Sequence, residues 1–387
     1  MGLKALGVTQ IPSVRAARRA ALTSTIAPSL TDMDAAAMEE LAVSLGEPAF
    51  RGRQLFGWVH GRLETDLSRM TSIPAALVRG LADGYPVTRV ELEVEALSAD
   101  GSTRKRLLRL ADGQTLEAVL MQAPASARAE DRYTVCVSSQ AGCALGCSFC
   151  VTGQMGFARQ LSAGEIVEQV YHFERELRDL PDRHAPKRRA VTNVVFMGMG
   201  EPLANYQPVM KAIRLLASPE GFGLGARRIT VSTAGLVPGI DRLSREGLQL
   251  GLAISLHAPE NELRSRIMPI NRRYPLADVV RAADGYSVAT GRRVSYEYAM
   301  IDGVNDSLGH ARQLAQLLAG RLCHVNLIPL NQSLDPTLRP SPPGRIVAFQ
   351  RALEISHIAC TVRHTRGQDI LAACGQLRYT ATAKKPA

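Results

Sequence analysis

The chain has 387 residues, enough for two or three domains and a large buried core. Apolar residues make up 46% and charged residues 21%, the balance of an ordinary globular protein and not of a disordered or fibrous one. No run approaches the roughly 20 apolar residues of a membrane span, the N-terminus lacks a signal peptide's apolar core, and a net charge of +10 makes nucleic acid the first candidate partner.

Residues 1–30 hold Lys4, Arg15, Arg18 and Arg19 and no acid. They read as a flexible tail, with an Arg-rich transit peptide as the alternative. Thr31 or Asp32 is placed to cap a helix through Met38 to Leu45. Further on, Phe50, Leu55, Trp58 and Val59 fall at helical spacing, with Gly46 and Pro74 as punctuation. Residues 31–87 are therefore expected to form a small helical domain. Val90, Leu92 and Val94 alternate with polar residues, and Asp100-Gly101 and Asp112-Gly113 are turn signals. Residues 88–131 read as an antiparallel β extension of three strands and a linker, its last strand carrying Glu117, Val119 and Met121.

From Tyr133 strands and helices alternate. Strands are expected at 133–139, 191–198, 228–233, 248–256, 293–301 and 323–330. Helices such as 162–178, 205–217, 307–319 and 343–356 lie among them. Six β–α units predict an α/β fold with a parallel sheet, curled into a partial (βα)6 barrel of TIM type over residues 132–380. Six units are too few to close an eightfold barrel, and such folds place their chemistry at the C-terminal ends of the strands. Residues 381–387 read as a tail.

The seven cysteines are Cys136, Cys143, Cys147, Cys150, Cys323, Cys360 and Cys374. The odd number and the lack of an export signal argue against a disulfide scaffold. Cys143-Ala-Leu-Gly-Cys147-Ser-Phe-Cys150 puts three thiols in one loop directly after the first barrel strand. Thiolates suit iron–sulfur clusters or zinc. A structural zinc site closes with four ligands, and no His or fourth Cys stands at the right local spacing. Three cysteines on a four-iron cluster, which usually takes four, leave one iron open.

This C-x3-C-x2-C spacing, with an aromatic residue before the third cysteine, resembles the radical S-adenosylmethionine (SAM) superfamily. The resemblance implies a 4Fe-4S cluster on Cys143, Cys147 and Cys150, whose open iron binds the amino and carboxylate groups of SAM and whose electron cleaves SAM to a 5′-deoxyadenosyl radical. Candidate SAM contacts end successive strands: Gly200 and Glu201 in Gly198-Met-Gly-Glu-Pro202, then Ser232, then Ser255 and His257 in Ser255-Leu-His257, then Asn331. Glycines allow close backbone approach, and Glu201 can accept from the SAM amino group. Singly, each could be an ordinary polar loop residue.

Four longer stretches resemble the RlmN/Cfr adenine methyltransferases: Cys136-Val-Ser-Ser-Gln-Ala-Gly-Cys143, the Gly-Met-Gly-Glu-Pro run, Ser255-Leu-His-Ala-Pro259 and Ala373-Cys-Gly-Gln-Leu377. Carbon 2 of adenine is electron-poor, and the family solves this with a protein thiol. The resemblance implies that Cys374 takes a methyl group from one SAM and that the radical from a second SAM removes a hydrogen from it. The methylene radical then adds to the ring, Glu117 removes the ring proton, and Cys136 releases the product by forming a disulfide with Cys374. Glu117 in an apolar row with Val119 and Met121 is expected to have a raised pKa, suited to proton transfer; a solvent-facing strand glutamate is the alternative. Cys374 could be merely a small buried residue, as Cys323 and Cys360, on barrel-type strands without a matching motif, are expected to be.

By the same resemblance the substrates are 23S rRNA and tRNA, the electron donor is a flavodoxin-type system, and the enzyme is a cytoplasmic bacterial monomer without a membrane. Arg104-Lys105-Arg106, Lys187-Arg188-Arg189, Arg227-Arg228, Arg272-Arg273 and Arg292-Arg293 are candidate phosphate contacts, each alternatively a solvated face. Cfr-like chains read Gln-Cys-Gly-Cys before the cluster, whereas this one reads Gln140-Ala141-Gly142-Cys143, which points to carbon 2 over carbon 8. A glycyl-radical activase and a non-catalytic RNA assembly factor remain the other readings.

Overall fold

The computed structural model describes residues 29–82, 84–123, 132–179, 189–331, 335–363 and 367–372. The expectations for the N-terminal tail up to residue 28, for Lys187 and Arg188, for Cys374 and for the C-terminal tail lie outside the described residues.

The N-terminal module holds helices α1 (Ala35–Ser44), α2 (Phe50–Phe56) and α3 (Ala75–Ala82), with α2 running on into a π turn at Gly57–Arg62. A Cβ on Gly52 would stand 2.3 Å from the backbone nitrogen of Glu39, so only glycine lets α1 and α2 approach this closely. The cap of α1 corrects the expectation. Asp34, and neither Thr31 nor Asp32, caps it by accepting from the Ala37 N–H at 2.9 Å. Thr31 and Asp32 are drawn to the barrel, where Thr31 donates to Glu168 and Asp32 accepts from the Gly164 N–H at 2.7 Å.

His60 lies fully buried at the same junction. Its Nε2–H donates to the Met33 carbonyl at 2.9 Å, and its Nδ1 accepts from the Tyr171 hydroxyl at 2.7 Å. Burial pulls its pKa down to about 4. The folded value lies below the unfolded one of about 6.5, so the stabilisation is complete above that pH and is lost as pH falls toward 4. Between pH 7 and pH 5 the wild type is expected to lose about 2 kcal/mol more than His60→Gln. Urea midpoints at the two pH values check this; equal losses in both proteins would refute it.

After the module come β1 (Val90–Leu97), β2 (Thr103–Leu110) and β3 (Thr115–Ala123), an antiparallel meander, and β4 (Arg132–Cys136), antiparallel to β3. A small hairpin of β5 (Gln140–Gly142) and β6 (Phe157–Gln160) brackets the short helix α4 (Val151–Gln154). Then α5 (Ala163–Arg178), β7 (Asn193–Phe196), α6 (Tyr206–Ala217), β8 (Ile229–Thr233), α7 (Val237–Leu243) and β9 (Gly251–Ser255) alternate. They are followed by α8 (Asn261–Ile267), α9 (Leu276–Thr290), β10 (Val294–Met300), α10 (Leu308–Leu318), β11 (Cys323–Pro329), α11 (Pro343–Ile355) and β12 (Cys360–Val362).

The strands form one sheet in the order β1-β2-β3-β4-β7-β8-β9-β10-β11-β12. From β4 to β12 neighbours are parallel, and β1 and β12 are left as edges, so the α/β barrel is partial as expected. β12, a seventh parallel strand beyond the six ranges, holds Cys360, which the sequence already places on a barrel-type strand. The helices start where the sequence signals them. Ser162 and Glu165 close a reciprocal capping box at α5, with bonds of 3.1 and 2.9 Å. Burial alternates along β8 and β11, the sealed residues packing under the helices and the half-buried ones facing the lumen. Among the described residues no helix is long and apolar enough to cross a membrane.

Candidate active site

The loop holding the three clustered cysteines is pinned at its base by the β5–β6 ladder, with the Cys143 N–H donating to the Gly156 carbonyl at 2.8 Å. Gly142 has φ +79°, and a Cβ there would stand 2.1 Å from that same carbonyl oxygen. The far side of the loop rests on α8: Ser148 N–H donates to Ile267 O at 3.0 Å, and Leu263, Ile267 and Met268 pack with Cys147, Phe149 and Cys150.

Cys143, Cys147 and Cys150 line one wall of a cavity at the C-terminal ends of the barrel strands. Gly200, Glu201, Ser232, Ser255, His257 and Asn331 all line the same cavity. Burial pushes the Cys143 thiol up to about 12 and raises Cys147 as well, so binding metal there must release protons. Among the described residues no three His, Cys, Asp or Glu side chains converge as a single metal ion requires. A soft, all-thiol set spread over one wall fits a larger iron–sulfur body, in which each thiolate meets its own iron.

Glu201 is buried, and both its oxygens accept backbone N–H groups, Oε1 from Leu203 at 3.0 Å and Oε2 from Ala234 at 2.7 Å. It thereby ties the loop after β7 to the end of β8. Burial lifts its pKa to about 7, against the pull of those hydrogen bonds. Gly200 beside it has φ +98°, with the Gln140 side chain where a Cβ would stand. His257 adopts a left-handed φ of +58°, uncommon for a residue with a side chain. Its Nδ1 accepts from the Ala299 N–H at 2.9 Å, and its ring meets Phe149 edge-on at 4.7 Å. Burial and then the charge of Arg264 hold its pKa at about 3, so the ring is neutral with its proton on Nε2.

Glu117 and Cys136 stand on the adjoining strands. Val119 pairs with Cys136, Cys136 with Val195 and Val195 with Thr230, so all project to one face of the sheet. Two residues along, Glu117 and Ser232 share that face, which is the lumen. Glu117 is 3% exposed, which rules out the solvent-facing alternative. It is not set in an apolar row, however: Lys105 Nζ lies 3.0 Å from its carboxylate. The same ammonium donates to the Leu371 carbonyl at 3.3 Å. Gly367–Ala372 crosses from the barrel rim to the meander, with Gln368 bonded to Asn331 at 3.2 Å and Asp369 accepting from the Ala99 N–H at 2.8 Å.

Several site residues went unnoticed in the sequence. Ser138 Oγ donates to the Glu117 carbonyl at 2.7 Å and accepts from the Met199 N–H at 2.9 Å, coupling the β3 strand to the glycine loop. Ser138 lay inside the matched run after Cys136, the one signal that could have found it. Glu297, bonded to Asn326 at 2.8 Å and to Arg363 at 3.4 Å, also faces the cavity. The basic clusters sort by position. Arg104 and Arg106 pair with Glu176, and Arg106 also with Glu95 at 2.6 Å, so that triplet is an internal ion network. Arg189 donates to the Gly223 carbonyl. Arg227-Arg228 and Arg292-Arg293 lead into the N-terminal ends of β8 and β10, away from the cavity. Arg272-Arg273 are exposed in the segment after α8, on the cavity side.

Residues 137–315 match the radical SAM superfamily, and residues 29–84 match the N-terminal domain of ribosomal RNA large subunit methyltransferases. A protein of Frankia casuarinae described as a "probable dual-specificity RNA methyltransferase RlmN" is 50% identical over 97% of this chain and 89% of its own length. This chain belongs to the RlmN family of radical SAM RNA methyltransferases. A relative of the same description from Moorella thermoacetica is 47% identical over 89% of this chain and 95% of its own length. The crystal structure of a radical SAM methyltransferase from Sphaerobacter thermophilus superposes with a TM-score of 0.85 at 48% identity, covering 90% of this chain and 99% of that one. As an RlmN-family enzyme the protein uses a 4Fe-4S cluster and SAM, for which the three-thiol wall and the cavity facing it are suited.

Proposed function

We propose that this RlmN-family enzyme methylates carbon 2 of an adenine in 23S rRNA at the peptidyl-transferase centre and of the adenine 3′ of the anticodon in tRNA. The observation that carries the reading is the shared lumen: Glu117 and Cys136 face the same barrel interior as the cluster cysteines and the Glu201 cavity. The strap ending at Ala372, two residues before Cys374 in the chain, is tied both to Asn331 and to the Lys105 that pairs with Glu117.

When bound, the cluster supplies the electron that cleaves SAM. Gly200, Glu201, Ser232, Ser255, His257 and Asn331 would hold SAM; the neutral His257 can donate through Nε2, and Glu201 keeps lone pairs for the SAM amino group. Cys374 receives a methyl group from one SAM by displacement. With its S-methyl group activated by a second SAM, Cys374 would supply the carbon that bonds to the adenine. Glu117, with Lys105 as counter-charge, would take the ring proton, and the unpaired electron of the adduct would return to the cluster that supplied it. Cys136 then attacks the sulfur of Cys374, freeing the methylated RNA and leaving a disulfide. An external thiol or reductase restores it by exchange. Ala141, where carbon-8 enzymes have cysteine, favours carbon 2.

The adenine must be splayed from its stack to reach the lumen, which favours a loop or strained RNA. Arg272 and Arg273 are the basic pair positioned to meet its phosphates. A flavodoxin-type donor, a monomeric state and a cytoplasmic location complete the reading. The test is methylation of synthetic rRNA and tRNA fragments by the reconstituted enzyme, with the modified atom identified by mass spectrometry. 2-Methyladenosine is expected; 8-methyladenosine without it would overturn the proposal.

A further inference from the structure

Helix α8, which backs the cluster loop, carries a cation in an unusual setting. Arg264 is 0% exposed. Its guanidinium donates to Leu256 O at 3.0 Å, Asn271 Oδ1 at 2.9 Å, Ala234 O at 2.7 Å and Ser255 O at 3.0 Å. All four acceptors are neutral, and no ion pair to a carboxylate holds Arg264 among the described residues. A buried ion without counter-charge is strongly unfavourable, because attraction to carbonyl dipoles only partly replaces its hydration. Its helix neighbour Leu263 and Ala234, whose carbonyl it holds, pack in one cluster with Cys147, so the cation stands on the helix that backs the cysteine loop.

We infer that Arg264 is the built-in counter-charge of the iron–sulfur cluster and makes its one-electron reduction easier. Three thiolates outweigh the double positive charge of an oxidised four-iron core by one, and one electron from a donor adds a second negative charge. A fixed cation on the helix that packs against the Cys147 loop stabilises the more negative state more, in a dry setting where the interaction is weakly screened. The same guanidinium binds the Ala234 carbonyl while the Ala234 N–H binds Glu201, so one cation organises both the cluster wall and the SAM side of the cavity. The inference is independent of which carbon is methylated.

The alternative is that Arg264 only laces the ends of β8 and β9 together. Anaerobically reconstituted wild type, Arg264→Met and Arg264→Lys separate the two. The readouts are iron and sulfide content and the midpoint potential of the cluster, titrated by electron paramagnetic resonance without SAM. Arg264→Met is expected to load the cluster and shift its potential negative by at least 59 mV, a tenfold less favourable one-electron reduction. Arg264→Lys, which keeps the charge but cannot make all four hydrogen bonds, is expected to stay near wild type. A fully loaded Arg264→Met with unchanged potential, or a lysine variant shifted as far as the methionine one, overturns the inference. If Arg264→Met does not load, wild-type loading and potential in Arg264→Lys support it, and failure of both variants to load overturns it.

Discussion

A Cys136→Ala variant is expected to join itself to its RNA and stay joined. Cys136 lies on the lumen face beside Val119 of β3 and is 7% exposed. The thiol enters last in the proposed sequence, so its loss leaves the steps that form the carbon–carbon bond untouched. What is lost is the nucleophile that breaks the bond between the Cys374 sulfur and the new methylene carbon. Multiple-turnover product is therefore expected to fall by about 1,000-fold or more, removal of a nucleophile elsewhere costing up to about a million-fold. A denaturing gel with labelled RNA reads the outcome directly, as an RNA–protein species stable to heat and SDS. Release of methylated RNA at the wild-type rate, with no such species, would remove Cys136 from the reaction.

Glu117→Gln is expected to lower methylated product by about 100- to 10,000-fold, the range for loss of a positioned base. The amide preserves the shape beside Lys105 and removes the proton acceptor. In the proposed mechanism SAM is bound and cleaved in the cavity lined by Glu201 and the cysteine loop, which Glu117 does not line. The ratio of 5′-deoxyadenosine formed to methyladenosine formed should therefore rise steeply. If both products decline together in Glu117→Gln, the residue supports the site and does not act on the ring proton.

The legible part of the fold was its repeat. Period-2 and period-3.6 patterns are set by neighbours along one chain, so 191–198, 228–233 and 323–330 overlap strands β7, β8 and β11 and run past them by at most a few residues. The cap of α1 was misplaced because Thr31 and Asp32 have better partners at Glu168 and Gly164, more than 130 residues away in sequence. A basic triplet at 104–106 looked like a phosphate site for the same kind of reason. In sequence nothing reveals that Glu95, Glu117 and Glu176 stand against it.

By itself the sequence determined the cluster loop, the glycine loop and the polar residues ending the strands, because each is marked by a short spacing and by its position in its β–α unit. Only the tertiary structure decided which residues share a space. Sheet register, carried across β3, β4, β7 and β8, turns Glu117 and Cys136 toward the lumen. Packing of α8 against the cysteine loop sets the helix that carries Arg264 against Cys147, and closure of the Gly367–Ala372 strap sets Leu371 on Lys105. Each of these contacts joins residues far apart in the chain. Their energies come from burial and from charge in a low dielectric, which no local pattern encodes.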